Sequence, residues 1–341
     1  MSPVTGPGRE KAEVAMSAGG TPTRALVTGA AGFAGQWLCR DLLRHGWTVT
    51  GTSRSGEPDT GILEPGERAR VTWMRQDLLE PDAVDRALDT AKPDAIFHLA
   101  AVSFVPTAGS DPMRAFDTNC GVAVRLLDEV RRRRVVGALD PVVVCIGSGE
   151  QYGRHADVAM PLGEDAECRP ATLYAATKMA QEVFALEAFR GDGVRVTCTR
   201  SFNHSGPGQA RAFVLPGLVQ RAVEARREGR ARVSIGNGHS VRDFLHVEDA
   251  VRAYVLLAEH GVAGETYNVS SGEGVSVQDV AGEVFRAAGL QAEAVGDASL
   301  RRAHDVPVLI GRNDKLRADT GWTPHRSRAD IISDLLHAAS R

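Results

Sequence analysis

Between Arg24 and Ser201 the chain alternates short runs of β-branched residues with stretches whose apolar positions recur at helical spacing, and this alternation leaves few folds open. Arg24-Ala-Leu-Val-Thr28 reads as a strand, Gln36 to Arg44 as a helix closed by Gly46, and Trp47 to Thr52 as a second strand. The pattern continues with Val71 to Met74 (strand), Pro81 to Leu88 (helix), Ala95 to Leu99 (strand) and Met113 to Arg133 (helix). Pro141-Val-Val-Val-Cys-Ile146 is a near-continuous apolar run, as a strand covered on both faces requires. Ala171 to Phe189 follows as a helix and Val194 to Thr199 as a strand. Strands alternating with helices over this length predict an α/β protein with a doubly wound parallel sheet of the Rossmann type. Beyond Ser201, loops rich in Gly, Pro and Asn interrupt helices (Leu215 to Arg227, Val247 to His260) and short strands (Arg232 to Ile235, Thr266 to Val269). A smaller, discontinuous C-terminal lobe fits that stretch better than a second independent fold.

Three glycines, Gly29, Gly32 and Gly35, fall between the first strand and the first helix. There a dinucleotide pyrophosphate would rest on free N–H groups of the helix start, with Phe33 and Ala34 completing the turn. The spacing is G-x-x-G-x-x-G. The second strand ends in Thr52-Ser53-Arg54-Ser55, without the acidic residue that bonds the adenine ribose of NAD. A hydroxyl followed by a guanidinium suits a 2′-phosphate, so Ser53 and Arg54 favour NADP(H) over NAD(H). Tyr174 and Lys178 stand one helical turn apart, which would let the cation lower the tyrosine pKa. The strand before that helix ends in Gly147-Ser148-Gly149-Glu150, on the ligand-bearing edge of the sheet. The expected organisation is a flexible tail (1–23), an NADP(H)-binding domain (24–200, also receiving about 241–262) and a mainly substrate-binding lobe (201–341).

Composition narrows the partners. Forty Lys plus Arg against 43 Asp plus Glu give a net charge of −3, without the basic excess of a nucleic-acid binder or a polybasic anchor. No apolar run reaches the roughly 18 residues of a membrane span, and the first twenty residues lack the apolar centre of a signal peptide. The expectation is a cytoplasmic protein with neither nucleic-acid nor membrane partner. Cys39, Cys120, Cys145, Cys168 and Cys198 form an odd set with no metal-site spacing and read as free, mostly buried thiols.

In this order the motifs resemble the extended short-chain dehydrogenase/reductases that act on nucleotide sugars. The resemblance runs from about Ala25 to Trp322 and rests on several segments besides the glycines: Gln76-Asp77-Leu78, His98-Leu-Ala-Ala101, Asn119, Ser148 to Gly153, the Tyr174/Lys178 pair, Arg200-Ser-Phe-Asn203 and Val241 to Asp249. It implies that Asp77 and Leu78 flank the adenine and that Leu99, Ala100 and Ala101 pass beneath the cofactor. Ser148, Tyr174 and Lys178 would carry the chemistry, with Glu150 a further catalytic candidate. Asn203, Arg242, Arg302, Ser103 and Ser148 would meet the nucleotide sugar. Ala100 to Val105 and Phe202 to Gln209 look most like GDP-mannose 4,6-dehydratases and GDP-4-keto-6-deoxy-mannose reductases. The resemblance implies Asp-Glu or Ser-Glu in many family members where this chain has Gly149-Glu150, and glycine can neither donate nor accept the proton that elimination of water requires, so an NADPH-dependent 4-ketoreductase is the favoured reading. A 4,6-dehydratase or 4-epimerase with unreleased NAD(P), and a non-catalytic NADP(H)-binding regulator, remain alternatives. The resemblance also implies a homodimer through a four-helix bundle formed by the helices around Met113 to Arg133 and Ala171 to Phe189.

Overall fold

The computed structural model describes residues 23–58, 61–155, 159–300 and 305–340; the expected tail, apart from Thr23, and the substrate candidate Arg302 lie outside them. The strands, in chain order, are β1 (Arg24–Thr28), β2 (Thr48–Ser53), β3 (Val71–Arg75), β4 (Ala95–His98), β5 (Val142–Ile146), β6 (Val196–Ser201), β7 (Asn203–Ser205), β8 (Arg232–Ile235), β9 (Val241–His246), β10 (Thr266–Val269), β11 (Gly274–Ser276), β12 (Glu293–Gly296) and β13 (Val308–Leu309). Seven of them form one sheet in the order β10-β6-β5-β4-β1-β2-β3, with every pairing parallel. Strand order reverses between β1 and β4, which opens a crevice at their carboxyl ends.

The sheet is covered on both faces, and alternation along each strand sorts the side chains. Val27, Phe97 and Val144 point to one face, where they pack with helices Phe33–Arg44 and Val247–His260. Leu26, Ile96, Val143 and Cys145 point to the other, against Ala83–Ala91, Val122–Val135 and Leu173–Asp192. The second lobe has its own core, in which Leu218, Val280, Val284, Ile331 and Ile332 join three further helices. Asp249 ties the two lobes' C-terminal chain down, accepting from the backbone N–H groups of His325 (2.9 Å) and Arg326 (2.8 Å) and from Arg252 (2.7 Å).

Three details differ from the sequence reading. The strand Thr266–Val269 completes the main sheet beside β6 rather than joining the second lobe, because helix Val247–His260 crosses back over the sheet to deliver it. Conversely, β9 lies in a small sheet with β7, β11 and β13, so only the helix of the segment 241–262 covers the main sheet. The long helix after β4 is also composite. Asp117–Gly121 forms a wide π turn closed by the Val122 N–H on the Asp117 carbonyl, between Pro112–Phe116 and Val122–Val135. Such turns cost hydrogen-bond geometry and gather at functional sites.

Candidate active site

The crevice at the switch point opens into a cleft of about 1020 Å³ that runs on beneath the second lobe. That is large for one small ligand and suits two. At its near end Gly29 turns with φ +71°, and a Cβ there would lie 3.0 Å from the Ala100 backbone nitrogen. A Cβ on Gly35 would overlap the Gly29 carbonyl. Helix Phe33–Arg44 starts at Gly32 without a side-chain cap, so its first N–H groups face the cleft as an anion cradle. The residues present therefore fit a dinucleotide pyrophosphate at Gly32, Phe33, Ala34 and Gly35.

The other candidate cofactor residues border the same groove. Ser53 and Ser55 join hydroxyls at 3.0 Å, and exposed Arg54 beside them makes no ion pair among the described residues. Asp77 accepts from the Leu79 N–H at 3.1 Å and stands 3.4 Å from Arg114, while Leu78 is buried. Leu99, Ala100 and Ala101 run along the floor, where the Ala100 N–H donates to Thr28 Oγ1 at 3.1 Å. That hydroxyl lies 2.9 Å from Nδ1 of fully buried His98, which desolvation and the Lys178 charge push down to about 3, so it stays neutral.

Ser148 begins a 3-10 turn, Gly149–Tyr152. Its Oγ accepts from the Glu150 N–H (3.2 Å) and its own N–H donates to Gln151 Oε1 (2.8 Å). The Gln151 amide in turn donates to Glu182 (2.6 Å), which is paired with Arg200 (2.6 Å) in the interior. Tyr174 lies in the first turn of Leu173–Asp192, a helix capped by Thr172, and Ser148 stands beside its hydroxyl, favouring the phenolate against the effect of burial. One turn on, Lys178 Nζ donates to the Ile146 carbonyl (2.7 Å) and Gln181 Oε1 (2.8 Å). Asn119, in the π turn, accepts from Val102 N–H (2.6 Å) and donates to Thr177 (2.9 Å), fastening the loop after β4 to this helix.

The expectation that Lys178 lowers the Tyr174 pKa does not hold in this geometry. The ammonium is turned toward the Ile146 carbonyl, and burial pushes the phenol up to about 12, with Glu150 adding to the rise. Burial also presses Lys178 down, to about 8. A phenol in this state is a proton donor at neutral pH.

Toward the far end, Ser103, Glu150 and Asn203 line the cleft. Arg242 is buried there and anchored by Asp305 at 2.5 Å, a carboxylate that also receives Ser240 and Asn237. Arg211, Arg221, His204 and Tyr254 also line it, although the sequence reading did not single them out. Nothing local marks them: each reaches the cleft through the packing of the second lobe or of helix Val247–His260. His246 is enclosed, its Nε2 3.3 Å from Asp334 and its Nδ1 capping that helix, as expected of a satisfied histidine. Among the described residues the cysteines are free, and all but Cys168 are fully buried. No helix of the described residues is long and apolar enough to cross a membrane.

Gly149 has a steric reason. A Cβ there would stand 3.1 Å from the ring of Phe202, and a Cβ on Gly311 would overlap the same ring.

The sequence and fold have close counterparts. Residues 25–270 match the model of the NAD dependent epimerase/dehydratase family. A GDP-6-deoxy-D-mannose reductase of Pseudomonas aeruginosa is 35% identical over 265 residues, 76% of this chain and 86% of that protein. A dTDP-glucose 4,6-dehydratase of Streptomyces griseus is 30% identical over 318 residues, 91% of this chain and 92% of its own. Among solved structures, RMD from Pseudomonas aeruginosa complexed with NADPH superposes with TM-score 0.77 at 29% identity, covering 93% of this chain and 99% of that one. With the switch-point crevice, the glycine cradle and the Ser148/Tyr174/Lys178 cluster in place, these matches identify the chain as a member of the NAD-dependent epimerase/dehydratase family, the extended short-chain dehydrogenase/reductases of nucleotide-sugar chemistry.

Proposed function

We propose that the protein is an NADPH-dependent 4-ketoreductase acting on a nucleotide-linked 4-keto-6-deoxyhexose, with GDP favoured over dTDP as the carrier. The observation that carries this reading is Gly149: beside the Ser148/Tyr174 pair it offers no acid, and a side chain there would press on the ring of Phe202, 3.1 Å from its Cβ. The reductase relative supports the substrate class and the NADPH-bound RMD structure the cofactor. Ser53 and Arg54 suit the 2′-phosphate.

Bound NADPH supplies the hydride that reaches sugar C4. Tyr174 gives its proton to the C4 oxygen as that oxygen becomes an alkoxide. Ser148, whose oxygen already accepts from the Glu150 N–H, turns its own proton to the same atom. Lys178 keeps one of its three donors for the nicotinamide ribose, the other two being committed to Ile146 and Gln181. Asn203 and Arg242 meet the diphosphate-linked sugar, and Ser103 borders its entry.

Glu150 favours a second reading. A carboxylate on the cleft wall next to the reacting centre could serve a 4,6-dehydratase or 4-epimerase, in which the cofactor is reduced and reoxidised within one turnover. Incubation with NADPH and GDP-4-keto-6-deoxy-mannose, beside GDP-mannose alone, separates the two: net NADPH oxidation at 340 nm with the keto sugar supports the reductase, and redox-neutral loss of water from GDP-mannose without that oxidation rejects it.

A homodimer is part of the proposal, because Met113, Phe116, Val183 and Phe184 are exposed on two helices that pack together. Sedimentation as a monomer at micromolar concentration would reject it. Five thiols without a disulfide among them suit a reducing, cytoplasmic setting.

A further inference from the structure

One cation in the cofactor groove has no role in the account above. Arg114 lies on Pro112–Phe116, the helix that leads into the π turn, and borders the cleft together with Thr118 and Val122. These three residues follow at four-residue intervals along one side of the composite helix, while Asn119 faces the other way, toward Val102 and Thr177. The opposite wall is the carboxyl end of β3, with Gln76, Asp77 and Leu78, and the groove's outer end is Ser53 to Ser55 after β2. In a sheet of this order the pyrophosphate lies at the first helix and the adenosine ribose beyond β2. The slot between the β3 end and the Arg114–Val122 wall is then the place for the purine ring. Leu78 and Val122, which pack in one apolar cluster with Ala83, border its inner end.

We infer that Arg114 is the outer wall of this slot, its planar guanidinium lying over the exposed face of the adenine. The inference rests on the dinucleotide reading and extends it to a residue that neither the motifs nor the catalytic cluster called for. The Asp77 carboxylate, 3.4 Å from Arg114 Nη2, keeps the guanidinium at the mouth of the slot. Arg114 is half exposed, so no buried contact is broken when it turns onto a ligand. Arginine suits the task because its delocalised plane stacks on aromatic rings, and cation–π attraction strengthens as water leaves. Arg54 stands at the ribose end of the groove, so the two cations divide the work. Arg54 reads the 2′-phosphate, and Arg114 reads the ring whatever the ribose carries.

The test is equilibrium binding, by calorimetry, of 5′-AMP, 2′,5′-ADP, NADH and NADPH to the full chain and to Arg114→Ala, Arg114→Lys and Arg54→Ala. Arg114→Ala should weaken all four by a similar factor, on the order of five-fold. Arg114→Lys should recover only part of that loss, and Arg54→Ala should weaken only 2′,5′-ADP and NADPH. Unchanged affinities in Arg114→Ala, with an unaltered melting curve, would overturn the inference. A loss confined to 2′-phosphorylated ligands would overturn it too, making Arg114 a second phosphate contact. A wild-type chain that binds none of the four overturns the dinucleotide reading itself and this inference with it.

Discussion

The buried Glu182–Arg200 pair links the interior to the catalytic serine, and removing its acid tests that link. Both side chains are nearly inaccessible, at 4% and 8% exposure, and Arg200 reaches Glu182 twice, at 2.6 and 3.1 Å. Glu182 also holds Gln151, which accepts the Ser148 N–H, so one carboxylate neutralises a buried guanidinium and fixes the turn that carries the Ser148 hydroxyl. Glu182→Ala leaves Arg200, among the described residues, with the Glu164 carbonyl (3.1 Å) and the face of Tyr152 (4.8 Å). Breaking one side of such a pair costs about 3–5 kcal/mol. Replacing both by methionine, which removes the charge and keeps the volume, should cost much less than the two single changes summed. Urea unfolding followed by fluorescence gives the stabilities, and kcat at saturating substrate reports the loosened Ser148, expected to fall about ten-fold or more. A stability within about 1 kcal/mol of wild type for Glu182→Ala, or additive single and double variants, would refute the reasoning.

Three other perturbations follow from the same geometry. Tyr174→Phe should abolish NADPH oxidation while nucleotide affinity, measured by calorimetry, stays near wild type; undiminished turnover would remove the tyrosine from the mechanism. Gly149→Asp drives a side chain against Phe202 and should cost about 1–3 kcal/mol in urea unfolding, without creating elimination activity. Lys178 sits folded near 8 against its ordinary 10.5, so the folded state binds fewer protons between those values. Wild-type stability relative to Lys178→Met should therefore rise from pH 8 toward 10.5, by at most about 1.4 kcal/mol per pH unit, and a difference flat across that range would contradict the assignment.

Most of the main sheet was legible because its strands are buried on both faces: Val142–Ile146 can hardly be anything else. The helix Val247–His260 was read to its bounds from periodicity. The partner of the last strand was not legible, since Thr266–Val269 is four residues long and its place depends on where the preceding helix packs. At the site, the glycine cradle and the Ser148, Tyr174 and Lys178 cluster were found because motif spacing reflects backbone geometry within single strand–helix units. The direction of the Lys178 amine was not, because it depends on the Ile146 carbonyl and on Gln181. The Asp305 clamp on Arg242 joins residues 63 apart in the chain, and no local pattern encodes such a contact.

The central claim is net reduction at C4. The direct measurement supplies NADPH with enzymatically generated GDP-4-keto-6-deoxy-mannose and, in parallel, dTDP-4-keto-6-deoxyglucose, following absorbance at 340 nm and the product by NMR. The account predicts that one of the two is reduced to a 6-deoxyhexose with one NADPH consumed per sugar, GDP-4-keto-6-deoxy-mannose the better substrate. No NADPH consumption with either sugar, together with loss of water from GDP-mannose, would contradict it and assign Glu150 to an elimination instead.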